Sequence, residues 1–274
     1  MPDAAPVILL GHGSRRFPEF ARGLEIVARD VQVTVGPTVR VVAAFFEFLA
    51  PSLDEAVAQL AAEGARRVIV LPYFLFDGRE VQRIIPEQLD ALRRRFPALD
   101  LVQGPALGLD DRLVALAAQR AREALAGLGY HRPFGGRLAM RRSDAPLGVI
   151  VVNRGSRAEF DPGDRLRVIA DRVGALLDAV AAAPAHAEYA RPTIAESAAL
   201  VVQAGARRVV VVPYLHFPGK VLFDNVVEDV ERAARAHPAA TFTLARTLCL
   251  DARLVALCAQ RIGEALGQAA PVGA

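Results

Sequence analysis

Residues 7–10 are four consecutive apolar positions, Val-Ile-Leu-Leu, set between a proline-containing start and a Gly-His-Gly turn. A short unbroken apolar run that ends in a turn fits a strand buried on both faces, as in a parallel sheet. The same reading along the next hundred residues predicts a helix over 18–31, a strand over 39–46 and a strand over 68–71. It continues with a helix over 81–95, a short strand over 100–102 and a helix over 110–128. Between the second and third strands, Ser52 followed three residues later by Glu55 is a capping box, which starts a further helix. Strands that alternate with helices through short connections favour parallel pairing. The expected product is an α/β fold, a small parallel sheet flanked by helices on both faces.

The pattern then repeats. ARRVIVLPYFLFDGREV from Ala65 returns as ARRVVVVPYLHFPGKVL from Ala206, 141 residues later. At the same offset 107–125 and 248–266 agree at 14 of 19 positions. His12-Gly13-Ser14-Arg15 recurs as Arg154-Gly155-Ser156-Arg157, Glu47 as Glu188, and the capping box as Thr193 with Glu196. Two tandem lobes follow, 1–128 and 147–274. The Gly-, Pro- and Arg-rich 129–146 has no apolar period and reads as the linker.

Composition narrows the class without identifying the chemistry. Hydrophobic residues make up 53% of the 274 and aromatic ones only 6%, with no Trp, so the cores are expected to be aliphatic. The formal charge is +3, with no Lys/Arg block interleaved with aromatics, so nucleic acid is not an expected partner. Cys249 and Cys258 are too few for a disulfide framework and fit no zinc spacing. The start lacks a signal-peptide pattern, and no apolar run approaches the roughly 20 residues of a membrane span. A cytoplasmic protein is expected.

In a parallel sheet the carboxyl ends of the strands share one edge, where open α/β folds bind ligands. That edge gathers His12, Glu47 and the 75–80 loop with Glu80, an imidazole and one or two carboxylates suited to a divalent first-row metal. Glu47 and Glu80 also lie near helix starts, where acids are favoured for the helix dipole alone. His216 takes the place of Leu75 in the second repeat and is a further candidate ligand, whereas His131, His186 and His237 are assigned no role.

The Gly-His-Gly-Ser-Arg turn, the Phe-Phe-Glu-Phe-Leu-Ala-Pro-Ser-Leu stretch and Pro-Tyr-Phe-Leu-Phe-Asp-Gly together resemble the sirohydrochlorin chelatases of the CbiX/SirB type. The likeness covers both repeats and is greatest to the long, fused form associated with cobalamin synthesis. It implies two chelatase-like lobes that admit an acidic tetrapyrrole, with Co2+, or Fe2+ in siroheme synthesis, as metal substrate and no organic cofactor. The family's metal-binding histidine matches His12 and its glutamate matches Glu47. Its second histidine falls on Glu80, so either the carboxylate replaces imidazole, or His216 supplies one, or activity is reduced. Arg154 stands where the second lobe would have the histidine, which leaves metal chemistry to the first. Arg15, Arg154 and Arg157 are expected to meet the substrate's acid groups, with Ser14, Phe76 and Gly78 completing the contacts. The persistence of Ser14 as Ser156 also fits a turn or helix cap.

Histidine phosphatases also carry a histidine after the first strand, but with Arg before it where this chain has Gly11. A non-catalytic metal or tetrapyrrole carrier is the other alternative. Two lobes in one chain favour a monomer.

Overall fold

The computed structural model describes residues 5–130, 144–156 and 164–267. The expected linker therefore lies mostly outside the described residues, as do His131 and Arg157. The elements are β1 (Val7–Gly11), α1 (Pro18–Val35), β2 (Val41–Phe45), α2 (Leu53–Ala62), β3 (Arg67–Pro72), α3 (Ile85–Arg95), β4 (Asp100–Gln103) and α4 (Asp111–Glu123). The second series is β5 (Leu147–Asn153), α5 (Arg165–Leu176), β6 (Ala181–His186), α6 (Ile194–Gln203), β7 (Arg208–Pro213), α7 (Val227–Ala236), β8 (Thr241–Leu244) and α8 (Ala252–Ala265). Two four-stranded sheets result, in the orders β2-β1-β3-β4 and β6-β5-β7-β8. All pairings are parallel, with Val7 opposite both Val41 and Ile69, and Gly148 opposite both Ala181 and Val209.

β1 is buried along its whole length, as its unbroken apolar run requires. Ile8, Leu10, Val68 and Val70 pack with Leu53, Val57 and Leu60 of α2 and with Ile85, Leu89 and Leu92 of α3. Both capping boxes form: Ser52 Oγ accepts from the Glu55 amide at 3.3 Å while the Glu55 carboxylate accepts from the Ser52 amide at 2.7 Å. Thr193 and Glu196 repeat the arrangement. α1 runs past the predicted end at 31 to Val35, where Gly36 stops it at φ 84°. The predicted helix over 81–95 opens instead with a π-helical turn, Glu80–Ile84, and the second repeat does the same at Val221–Val226.

The compact units do not follow the repeat boundary. One comprises residues up to Gly108 together with those from Leu250 onward, and the other runs from Leu109 to Cys249. Thus α8 packs against α1 and β3, while α4 packs against α5 and β7. Within the first unit the Arg261 guanidinium donates to the Leu107 carbonyl at 3.1 Å. Within the second, Arg120 donates to the Leu248 carbonyl at the same distance. The last helix of each repeat thus belongs to the other repeat's unit; sequence periodicity sets the helix's apolar stripe and leaves its recipient open.

Candidate functional site

The rim of the first sheet is assembled by backbone hydrogen bonds. The Phe46 amide donates to the Gly11 carbonyl at 2.7 Å, and the Glu47 amide to the His12 carbonyl at 3.0 Å, so the two loops leaving β1 and β2 are clasped together. Gly13 permits this approach. Its φ is 84°, and a Cβ there would stand 1.9 Å from the Glu47 carbonyl oxygen. The same device recurs at Gly155, where a Cβ would meet the Glu188 carbonyl at 2.0 Å. Ser14 Oγ accepts from the Phe17 amide at 3.1 Å, which closes the turn into α1 and gives its retention a structural reason.

His12 is half-buried between two rings, edge-on to Phe46 at 5.9 Å between centroids and tilted against Phe74 at 6.2 Å. Apolar walls on two sides limit the imidazole's orientations while its position at the strand end keeps it on the rim. Sequence reasoning missed these walls, although the repeat carries their signal. The second half has Ala187 and Leu215 at the corresponding positions, so both rings are absent where the histidine is absent. Glu47 is exposed and Glu80 partly so, and the Glu80 carboxylate reaches back over Gly78, with Oε2 3.5 Å from where a Cβ would stand. The loop between them is tied by Val81 and Gln82 amides, both donating to the Gly78 carbonyl. Phe76 is half-buried in the same loop. Among the described residues no three His, Cys, Asp or Glu side chains come close enough together to hold a metal ion. As the side chains stand, His12 is therefore joined by at most one further ligand of those types.

The second rim has a different chemistry. Arg154 Nε donates to Glu188 Oε2 at 3.0 Å, and Nη2 donates to the Tyr189 hydroxyl at 3.4 Å. Asn225 Nδ2 donates to the other Glu188 oxygen at 3.3 Å. Burial works against the guanidinium's charge, but Glu188 and Tyr189 outweigh it and hold the Arg154 pKa above its usual value. Both Glu188 oxygens are thus engaged, and a guanidinium stands where the first rim has an imidazole. Beneath this rim, His186 Nδ1 lies 2.7 Å from Asn153 Oδ1 in a buried pair that replaces Gly11 and Phe45 of the first sheet. Neither partner was expected to matter, and the exchange of Gly for Asn at a buried strand end was the available signal.

His216 lies in the loop that follows β7. Both of its ring nitrogens are shielded from solvent, and burial lowers its pKa to about 3. The residue as a whole is half-buried, where its counterpart Leu75 in the first repeat is buried.

No helix among the described residues is long and apolar enough to cross a membrane. The CbiX family model matches residues 6–124 and 148–265. A sirohydrochlorin cobaltochelatase of Priestia megaterium is 25% identical over 260 residues, 95% of this chain and 79% of the relative. A sirohydrochlorin ferrochelatase of the same organism is 24% identical over 192 residues, 69% of this chain and 64% of the relative. Among solved structures, the sirohydrochlorin chelatase SirB from Bacillus subtilis subspecies spizizenii, in complex with cobalt, superposes with a TM-score of 0.73 at 17% identity, covering 96% of each chain. SirB from Bacillus subtilis with Fe3+ gives the same TM-score at 20% identity and the same coverage. At these identities the two structures show a common fold.

Proposed function

Because the chain belongs to the CbiX family, we propose that it is a chelatase inserting a divalent metal, Co2+ in preference to Fe2+, into sirohydrochlorin or a closely related tetrapyrrole for cobalamin synthesis. The observation that carries this reading is the clasp that brings His12 and Glu47 to one rim, 3.0 Å apart through their backbones, with the imidazole walled by Phe46 and Phe74. The preference for cobalt rests on the cobaltochelatase relative, which aligns over nearly the whole chain. The protein is taken to work as a cytoplasmic monomer, with metal chemistry on the first repeat's rim.

Insertion exchanges one M2+ for two pyrrole N–H protons, so the site must hold the ion briefly and accept protons. His12 serves the first task or the second, and Glu47, at the solvent edge, passes protons outward. Glu80, where related enzymes have a histidine, offers a carboxylate oxygen that Co2+ and Fe2+ both accept. Arg15, Arg154 and Arg157 meet the macrocycle's acid groups, and Phe76 and Gly78 line its approach.

The test is to mix the protein with sirohydrochlorin and Co2+, or Fe2+ without oxygen, and follow the absorbance change above the metal-only background. Wild type accelerates insertion, more with Co2+, and His12→Ala slows it by at least about 100-fold with an unchanged melting temperature. Binding of both substrates without acceleration identifies a carrier, and normal rates in His12→Ala refute the assignment.

A further inference from the structure

Phe48 and Tyr189 follow Glu47 and Glu188 at the same position of the two repeats. Each is a bulky residue in the left-handed region, φ 67° and 59°, which side chains other than glycine's seldom adopt. Each is also more than half exposed, at 53% and 58%. A ring so open to solvent gains little from burial to offset that backbone conformation.

Both rings carry an arginine. Arg15 lies over Phe48 with its guanidinium carbon 5.0 Å from the ring centroid, and Arg154 lies over Tyr189 at 5.3 Å. These arginines are not equivalent in the repeat. Arg15 corresponds to Arg157, whereas Arg154 replaces the rim histidine. The two rims have lost each other's polar chemistry yet present the same couple, a strained open ring with a cation on one side, built from different parts.

We propose that each couple is a recognition element for a flat conjugated macrocycle bearing carboxylates, the ring supplying a stacking face and the guanidinium an acid-group contact. This rests on the chelatase reading and adds Phe48 and Tyr189 as residues that set affinity for the organic substrate. Stacking on an aromatic side chain is sequence-tolerant and substantial, and a planar tetrapyrrole has the π-face it needs. The cation laid on the ring is favourably placed both by the ring's quadrupole and by an incoming carboxylate.

The experiment titrates the full-length protein with metal-free sirohydrochlorin, read by absorbance, alongside thermal melting and steady-state insertion. Phe48→Gly and Tyr189→Gly remove the ring and the strain together. Each should raise Kd and KM about tenfold, leave kcat within about twofold, and leave the melting temperature unchanged or higher. Phe48→Tyr should recover wild-type affinity. Wild-type affinity in both glycine variants, or a loss that tracks a lowered melting temperature, overturns the inference while leaving the chelatase reading in place. A wild-type protein that takes up no sirohydrochlorin overturns that reading itself.

Discussion

Ending the chain after Cys249 removes α8 and tests which half of the molecule that helix stabilises. Leu254, Leu257 and Ile262 are at most 1% exposed, and each such side chain contributes about 1.5–3 kcal/mol when buried. The three together come to about 5–9 kcal/mol, an upper estimate because unfolded chains are partly compact. Whole domains are stable by about 5–15 kcal/mol, so the unit that loses α8 loses most of its margin. It also loses the Arg261 contact to the Leu107 carbonyl. Hydrogen exchange read by mass spectrometry, peptide by peptide, distinguishes the two possible recipients. Packing of α8 on α1 and β3 requires protection to collapse over 5–108 while 147–249 keeps its slow amides. If protection instead collapses over 147–249 and 5–108 is untouched, the sequence repeat and not the exchanged arrangement defines the folding unit, and the assignment of α8 is wrong.

Gly13→Ala forces a Cβ into the Glu47 carbonyl at a positive φ and should cost at least about 2 kcal/mol, lowering both melting temperature and insertion rate. Gly127→Ala, at φ 90° and ψ 7° with nothing within 4 Å, should cost only about 1 kcal/mol, so equal losses in chemical denaturation would refute the close-approach argument. His216 stays neutral in the folded protein down to about pH 3 and titrates near 6.5 when unfolded. Its contribution is therefore complete above about pH 6.5 and is lost as pH falls towards 3, at up to about 1.4 kcal/mol per pH unit. His216→Leu should flatten that acid limb in urea melts, and an unchanged slope would refute the buried neutral ring. Glu80→His places an imidazole nitrogen on the first rim and should tighten Co2+ binding on the order of tenfold, about 1.4 kcal/mol, by calorimetry; no change would remove Glu80 from the metal's path.

The elements were legible because their signals are local. Buried parallel strands leave unbroken apolar runs, as in β1, and the capping boxes at Ser52 and Thr193 are set within four residues. The rim was legible one step further out, since parallel topology alone carries His12 and Glu47 to one edge. Partner choice was not. Nothing within 110–128 says that α4 serves the second sheet, because two similar sheets offer two similar apolar faces. The π-helical turns at Glu80 and Val221 were equally hidden, since one extra residue in a turn barely alters the apolar spacing. The shielding of both His216 nitrogens was hidden as well, because it depends on which elements pack around the loop.

The two rims differ by a compact set of exchanges that are chemically coherent. Where the first has an imidazole walled by Phe46 and Phe74 and a glutamate left exposed, the second has a guanidinium that occupies its glutamate from one side while Asn225 occupies it from the other. Both Glu188 oxygens are bound to donors, and a guanidinium has no lone pair to offer a metal. The second rim thus keeps its glutamate as the anchor of a fixed positive group. A duplicated chelatase with two equal metal sites would split its metal between them, each holding ions the other needs. On the proposed reading, a permanent cation at 154 removes that competition and keeps positive charge for an acidic substrate, a change of task for that position.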